Sequence, residues 1–330
     1  MFYERAKETA IAAVTDACRL CEAVRSELGP ADAVVKADRS PVTVADFGVQ
    51  CQVTLALRDA FPDLPLVAEE DADDLRGEAR ALVRAAVLNH VQRIVPRARE
   101  EEVLSALSHG RYAGGAEGTF WTLDPIDGTK GFLRGGQYAI ALALIVDGEA
   151  VLGVLGCPSY PQDNSDPDGP CGCLFVAVKG QGARMRILGE TAERAVHVSE
   201  VEGPSRAVVC ESVEAAHSSH SQARQIAARL GIASPPMRID SQCKYAAVAR
   251  GDADIYLRLP TRADYVEKLW DHAAGCLLVQ EAGGKVSDIT GRSLDFSKGS
   301  TLSANTGVLA TNGRLHGGVL AAVHDILSES

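Results

Sequence analysis

The chain has 330 residues, 46% hydrophobic and only 5% aromatic, with 44 acidic side chains against 33 basic ones and a net charge of −11. That length suggests about two domains, and the composition can fill a large aliphatic core. The acidity argues against nucleic acid or an anionic membrane as the main partner. It leaves room for a small anionic ligand held by local cations or by a metal.

The apolar run "YAIALALIV" (138–146) is nine residues long, too short to span a bilayer. The N-terminal stretch "MFYERAKETAIAAV" has no basic region ahead of an apolar one, so it reads as neither a signal peptide nor a transit peptide. A cytoplasmic location is the expectation, with a processed organelle precursor as the alternative. Nine scattered cysteines, odd in number, fit a reducing compartment. Cys18 and Cys21 read as buried helix packing. Cys171 and Cys173 read as part of a polar loop, with redox activity the lesser alternative.

Apolar residues at Ile11, Val14, Cys18, Cys21 and Val24 predict a first helix over 2–28, stopped by Gly29-Pro30. A second helix is expected from about Val44 to Ala60. "LPLVAEE" is a short strand ending in Glu69 and Glu70, and 78–108 is helical with a break at Pro96. "TFWTLD" is a strand that delivers Asp124. "AIALALIVDGEAVLGVLGCP" is a hairpin turned at Asp147-Gly148, and "LFVAVKGQGARMRI" is a second hairpin. Beyond about 195 the order alternates: the strand "RAVVC", a helix over 218–230, "MRID", a helix over 244–250, the strand "DIYLRL", a helix over 271–282 capped by Asp271, the strand "KVSD" and a last helix. The pattern is an α+β domain over 1–195 followed by an α/β domain over 196–330.

The stretch "TLDPIDGTKGF" (122–132) sets Asp124 and Asp127 three positions apart with no basic residue between them. Pro125 fixes φ and Gly128 permits a tight turn, so both carboxylates and a main-chain carbonyl can face one side. Such oxygens suit a hard cation of the Mg²⁺ type, and Thr129 would then face a phosphate at a helix start. Taken alone, the hexapeptide reads better as an ordinary surface turn. Its company changes that balance. Asp46 in "SPVTVADF", Glu69 and Glu70 in "LVAEE" and Asp271 in "EKLWDHAAG" each stand where an element starts or ends. Singly they read as caps or solvated charges; together they furnish enough oxygens for two metal ions clamping a phosphoryl transfer.

"VAEE", "DPIDGTKGF" and "WDHAAGCLLVQEAGG", in that order over nearly the whole chain, resemble the inositol monophosphatase superfamily of Mg²⁺-dependent, lithium-sensitive phosphatases. Within it, "DPIDGTKGFLRGGQYAIALALI", "ESVEAAHS", "DSQCKYAAVARGDADIYLRLP" and "YVEKLWDHAAG" are similar to the 3′(2′),5′-bisphosphate nucleotidases, which belong to sulfur metabolism. The resemblance implies a layered α-β-α-β-α sandwich of the inositol monophosphatase/fructose-1,6-bisphosphatase type, with the site between its halves. It implies two or three Mg²⁺ ions held by Asp46, Glu69, Asp124, Asp127, Asp271 and the carbonyl of Ile126. Asp46 and Thr129 would orient and deprotonate the attacking water. Thr129, His217, Ser241, Lys244, Arg258 and Asp271 would contact the nucleotide. Without the resemblance, His217, Ser241, Lys244 and Arg258 read as surface groups or a cap. His272 is assigned no chemistry.

The expected reaction removes the 3′-phosphate of adenosine 3′,5′-bisphosphate to leave AMP. The sulfated analogue PAPS and the 2′,5′ isomer are further substrates, and the protein acts as a monomer without nucleic acid or membrane. An inositol-phosphate phosphatase of the same fold is the alternative. A non-catalytic nucleotide sensor is the remote one, and it should lack a metal carboxylate or the threonine; none is missing here.

Overall fold

The structure is a computed structural model that describes residues 2–27, 33–35, 41–214, 219–262 and 264–329. Helix α1 (Phe2–Glu27) is followed by the short antiparallel pair β1 (Ala33–Val35) and β2 (Pro41–Thr43), then by α2 (Val44–Ala60). Strand β3 (Leu66–Ala68) precedes α3 (Ala81–Ile94) and α4 (Glu100–His109), parted at Pro96 as the sequence predicts. Next come β4 (Thr119–Asp127), the short helix α5 (Thr129–Leu133), β5 (Ala139–Val146), β6 (Glu149–Pro161), β7 (Cys171–Val178), β8 (Gly182–Ile187) and β9 (Arg194–Val196). These strands form one seven-stranded sheet in the order β3-β4-β5-β6-β7-β8-β9, antiparallel except for β3 on β4.

The second sheet begins with β10 (Val209–Glu211) and takes in β11 (Met237–Arg238), β12 (Ile255–Arg258), β13 (Lys285–Ser287) and β14 (Val308–Thr311). Its order is β11-β10-β12-β14-β13. The first three strands are parallel, and β14 runs antiparallel to both β12 and β13. Interleaved are α6 (His220–Arg229), α7 (Cys243–Arg250), α8 (Ala273–Glu281) and the terminal α9 (His316–Ser328).

Alternation along the strands sorts the side chains into layers. Trp121, Leu123, Ile140, Leu142 and Leu144 face α1–α4. Phe120, Ala141, Ala143, Ile145 and Phe175 face the other way, against α7 and α8, which also cover Tyr256, Val308 and Ala310 of the second sheet. The outer face of that sheet, Ile255, Leu257 and Leu309, packs on α6 and α9. The result is the α-β-α-β-α sandwich. α7 and α8 can share the middle layer because Gly275 is bare: a Cβ there would lie 2.2 Å from the ring of Tyr245.

Three sequence expectations need correction. Asp271 does not cap α8; it lies in the turn before it, and the cap position falls to His272, whose side chain makes no capping bond. Cys171 and Cys173 are on strand β7 rather than in a loop, and Cys173 is buried. Strand β14 was not anticipated. Cys18 and Cys21 are buried in α1, as expected. The breaker Gly29-Pro30 lies outside the described residues.

Candidate active site

β4 pairs with β5 in regular register up to Asp124 opposite Ala141, then resumes only at Asp127 opposite Ala139. Three steps on one strand answer two on the other, a bulge. Pro125 has no N–H for the ladder, so the interruption falls where the sequence forces it. The bulge turns Asp124 and Asp127 toward the same end of the sheet. Gly128 follows with φ +88°, a left-handed conformation costly for other residues, and a Cβ there would meet the Cβ of Ser241 at 3.0 Å. Chain from the second half therefore presses directly on the Asp127-Gly128 turn.

Asp46 stands in the first turn of α2. Its Oδ2 accepts from the Thr43 N–H at 2.7 Å and from Thr43 Oγ1 at 2.6 Å, completing a capping box. Its Oδ1 faces Thr129 Oγ1 at 3.3 Å, and the same hydroxyl lies 3.2 Å from the Ile126 carbonyl. One turn further along α2, the buried Gln50 clamps the main chain of Glu70: its Nε2 donates to Glu70 O at 2.6 Å and its Oε1 accepts from Glu70 N at 2.8 Å. α2 thus carries Asp46 itself and fixes the strand end that presents Glu69.

Electrostatics draws these groups into one cluster. Burial pushes the Asp124 carboxyl well above the usual range, and the charges of Glu69, Asp127, Asp271 and Asp46 push it further. Burial also raises Asp127 and Asp271, although Lys244 and Arg258 counter it at the first and Arg258 at the second. Asp124 Oδ1 is buried and has no hydrogen-bond partner. A buried, unpaired carboxylate oxygen among four other carboxylates is costly unless a cation joins it.

The other wall of the cleft comes from the second half. The Gln242 N–H donates to Asp127 Oδ2 at 2.5 Å, while its side chain reaches Trp270 O at 2.9 Å and accepts from the Gly275 N–H at 3.2 Å. Ser241 holds a left-handed φ of +66°, unusual for a side-chain-bearing residue, and its Oγ accepts from the Cys243 N–H. Lys244 is buried in α7, donating Nζ to Ser241 O at 2.7 Å, and burial lowers its pKa against the pull of Asp127. Ser241, Lys244, Arg258 and Asp271 line one pocket with Asp127 and Gly128. His217 lies outside the described residues.

Arg258 is already engaged, pairing with Glu267 and approaching Asp271. Glu267, Asp271 and His272 bring their ligand atoms within 4.8 Å of one another, but the counter-charge at that spot is this guanidinium. Sequence reasoning missed Thr43, Gln50, Gln242 and Glu267. Only Thr43 carried a local signal, the T-x-x-D spacing of a capping box; the others act across the fold.

The sequence model of the inositol monophosphatase family matches residues 5–328. The chain is 46% identical over 327 residues to the 3′(2′),5′-bisphosphate nucleotidase of Schizosaccharomyces pombe, covering 94% of this chain and 92% of that one. It is 44% identical over 353 residues to the 3′(2′),5′-bisphosphate nucleotidase of Emericella nidulans, covering 99% of each. Among solved structures it is similar to a Thermotoga maritima IMPase, with TM-score 0.65, 21% identity and 98% coverage of both chains, a likeness of fold. The protein belongs to the inositol monophosphatase family, whose enzymes are generally metal-dependent. No helix among the described residues is long and apolar enough to cross a membrane.

Proposed function

We propose that this protein is a Mg²⁺-dependent phosphatase that hydrolyses the 3′-phosphate of adenosine 3′,5′-bisphosphate, leaving AMP and inorganic phosphate. The observation that carries the chemistry is the buried carboxylate cluster around Asp124, whose Oδ1 has no partner. The nucleotide assignment is supported by relatives that are 41–46% identical and bear bisphosphate nucleotidase names.

The donor set fits a hard divalent cation: carboxylates and carbonyls, without thiolate or imidazole. Asp46, Glu69, Asp124, Asp127, Asp271 and the Ile126 carbonyl would hold two or three Mg²⁺ ions. When bound, the ions supply the positive charge that offsets a phosphate dianion. In this reading residues 1–195 furnish most of these ligands, and residues 196–330 furnish the nucleotide wall.

The chain's own residues do the rest. The Thr129 hydroxyl has one proton and two acceptors in reach, Asp46 Oδ1 and Ile126 O. Donating to Asp46, it turns a lone pair toward a water, and Asp46 is placed to receive the proton. Thr43 engages Asp46 at Oδ2, while Thr129 meets the same carboxylate at Oδ1. Asp271, from the opposite half, would face the sugar of the substrate. Lys244 and Arg258 add positive potential beside Asp127, which would favour the second phosphate of the substrate on that side of the cleft. Metal-dependent release of phosphate with AMP as the nucleotide product tests the reading.

A further inference from the structure

Arg258 ends β12 with its guanidinium between two carboxylates and does not treat them alike. Its Nε lies 3.0 Å from Glu267 Oε1 and its Nη2 lies 2.8 Å from Glu267 Oε2, a two-point pair. Asp271 Oδ2 stands further off, 3.4 Å from Nη2. The unequal division has a visible cause. Glu267 is 4% exposed and is held from its other side by His272 Nε2 at 3.0 Å; His272 Nδ1 in turn accepts from the Tyr245 hydroxyl at 2.7 Å. This chain of contacts presents both oxygens of Glu267 square to the guanidinium. Neither Glu267 nor His272 nor Tyr245 lines the pocket.

A planar guanidinium binds most strongly to a carboxylate that meets it with two parallel bonds. Without Glu267, the same buried cation would turn onto Asp271, the nearest remaining anion. Its charge would then be spent on an oxygen needed elsewhere. We propose that Glu267 is a positioning residue: by engaging Arg258 at two points it keeps the guanidinium from closing on Asp271 and leaves that carboxylate for a divalent cation. The proposal rests on the reading of Asp271 as a cation ligand.

The test is a calorimetric titration of substrate-free protein with MgCl₂, so turnover plays no part. Glu267→Gln removes the charge and one acceptor. Glu267→Asp keeps the charge but shortens the reach, and it carries the test if the first variant fails to fold; melting curves report folding for each. Both changes should weaken Mg²⁺ binding by about tenfold, the scale of one charge-assisted contact. In an Asp271→Asn background neither should weaken it further, because coupled sites do not add. Wild-type affinity in Glu267→Asp, or equal losses in both backgrounds, would overturn the proposal and leave a charge felt through space. Wild-type affinity in Asp271→Asn alone would instead strike the ligand reading beneath it, and the proposal with it.

Discussion

Thr129 Oγ1 lies 3.3 Å from Asp46 Oδ1, joining the first residue of α5 to the first turn of α2, 83 positions earlier. If this contact aligns the attacking water, Thr129→Val keeps the shape and removes the function. We expect kcat to fall by about 10²-fold or more, the scale of general-base catalysis, with KM much less affected. Steady-state kinetics decide it; a kcat within a few-fold of wild type would make Thr129 a packing residue.

The carboxylate cluster makes a prediction about stability. Asp124 is buried among like charges, so Asp124→Asn should stabilise the protein in EDTA. Mg²⁺ should raise the melting temperature of wild type and have little effect on the variant, because binding to the native state alone stabilises it. Urea unfolding with and without Mg²⁺ measures both. A variant less stable than wild type in EDTA would contradict the repulsion that the geometry implies.

Gln242 ties three groups together, and its side chain is the only part a substitution removes. Gln242→Leu leaves Trp270 O and the Gly275 N–H without this partner in a buried setting, at a cost of about 1–3 kcal/mol. The main-chain bond to Asp127 survives the change. We therefore expect a lower urea midpoint and a higher Mg²⁺ requirement, through the loosened Trp270-Asp271 turn, rather than abolished activity. An unchanged midpoint would show that the tie carries no strain-bearing role.

Much of the site was legible because its ligands sit at element ends with local signatures. Pro125 and Gly128 announced the irregular strand end, and Asp46 was expected where α2 starts. Asp147-Gly148 turns its hairpin with φ of +49° and +76°, as the dipeptide suggests. What the sequence could not disclose is long-range. Gln50 looks like any helix residue until it meets Glu70, and Glu267 looks like a solvated charge until Arg258 and His272 close on it. Asp271 resembled a cap because Asp commonly caps, but Arg258 gives it a different partner. The layered order came from the family resemblance, since periodicity assigns a face to each strand without saying what covers it.

His316 offers a pH test remote from the cleft. It is buried with Nε2 3.0 Å from Ser287 Oγ and Nδ1 3.0 Å from Thr311 Oγ1, and burial, aided by Lys285, lowers its pKa from 6.5 to about 4. Between those values the unfolded chain binds the proton and the folded chain does not, so stability drops as pH falls from about 6.5 toward 4. At most about 3 kcal/mol is involved. The raised carboxyls of the cluster act in the opposite direction, so the comparison is with His316→Gln, whose stability should decline less over that window. Parallel pH profiles would show that His316 does not titrate as described.

Cleavage of the 3′-phosphate of an adenosine bisphosphate in this cleft can be tested directly. The most direct measurement supplies purified protein and Mg²⁺ with adenosine 3′,5′-bisphosphate or inositol 1-phosphate, follows phosphate release, and identifies the nucleotide product. AMP is expected as that product, with a kcat/KM for the nucleotide at least about tenfold above that for the inositol ester and both reactions stopped by EDTA. Adenosine 3′-phosphate as product, a preference for the inositol ester, or undiminished turnover in excess EDTA would contradict it.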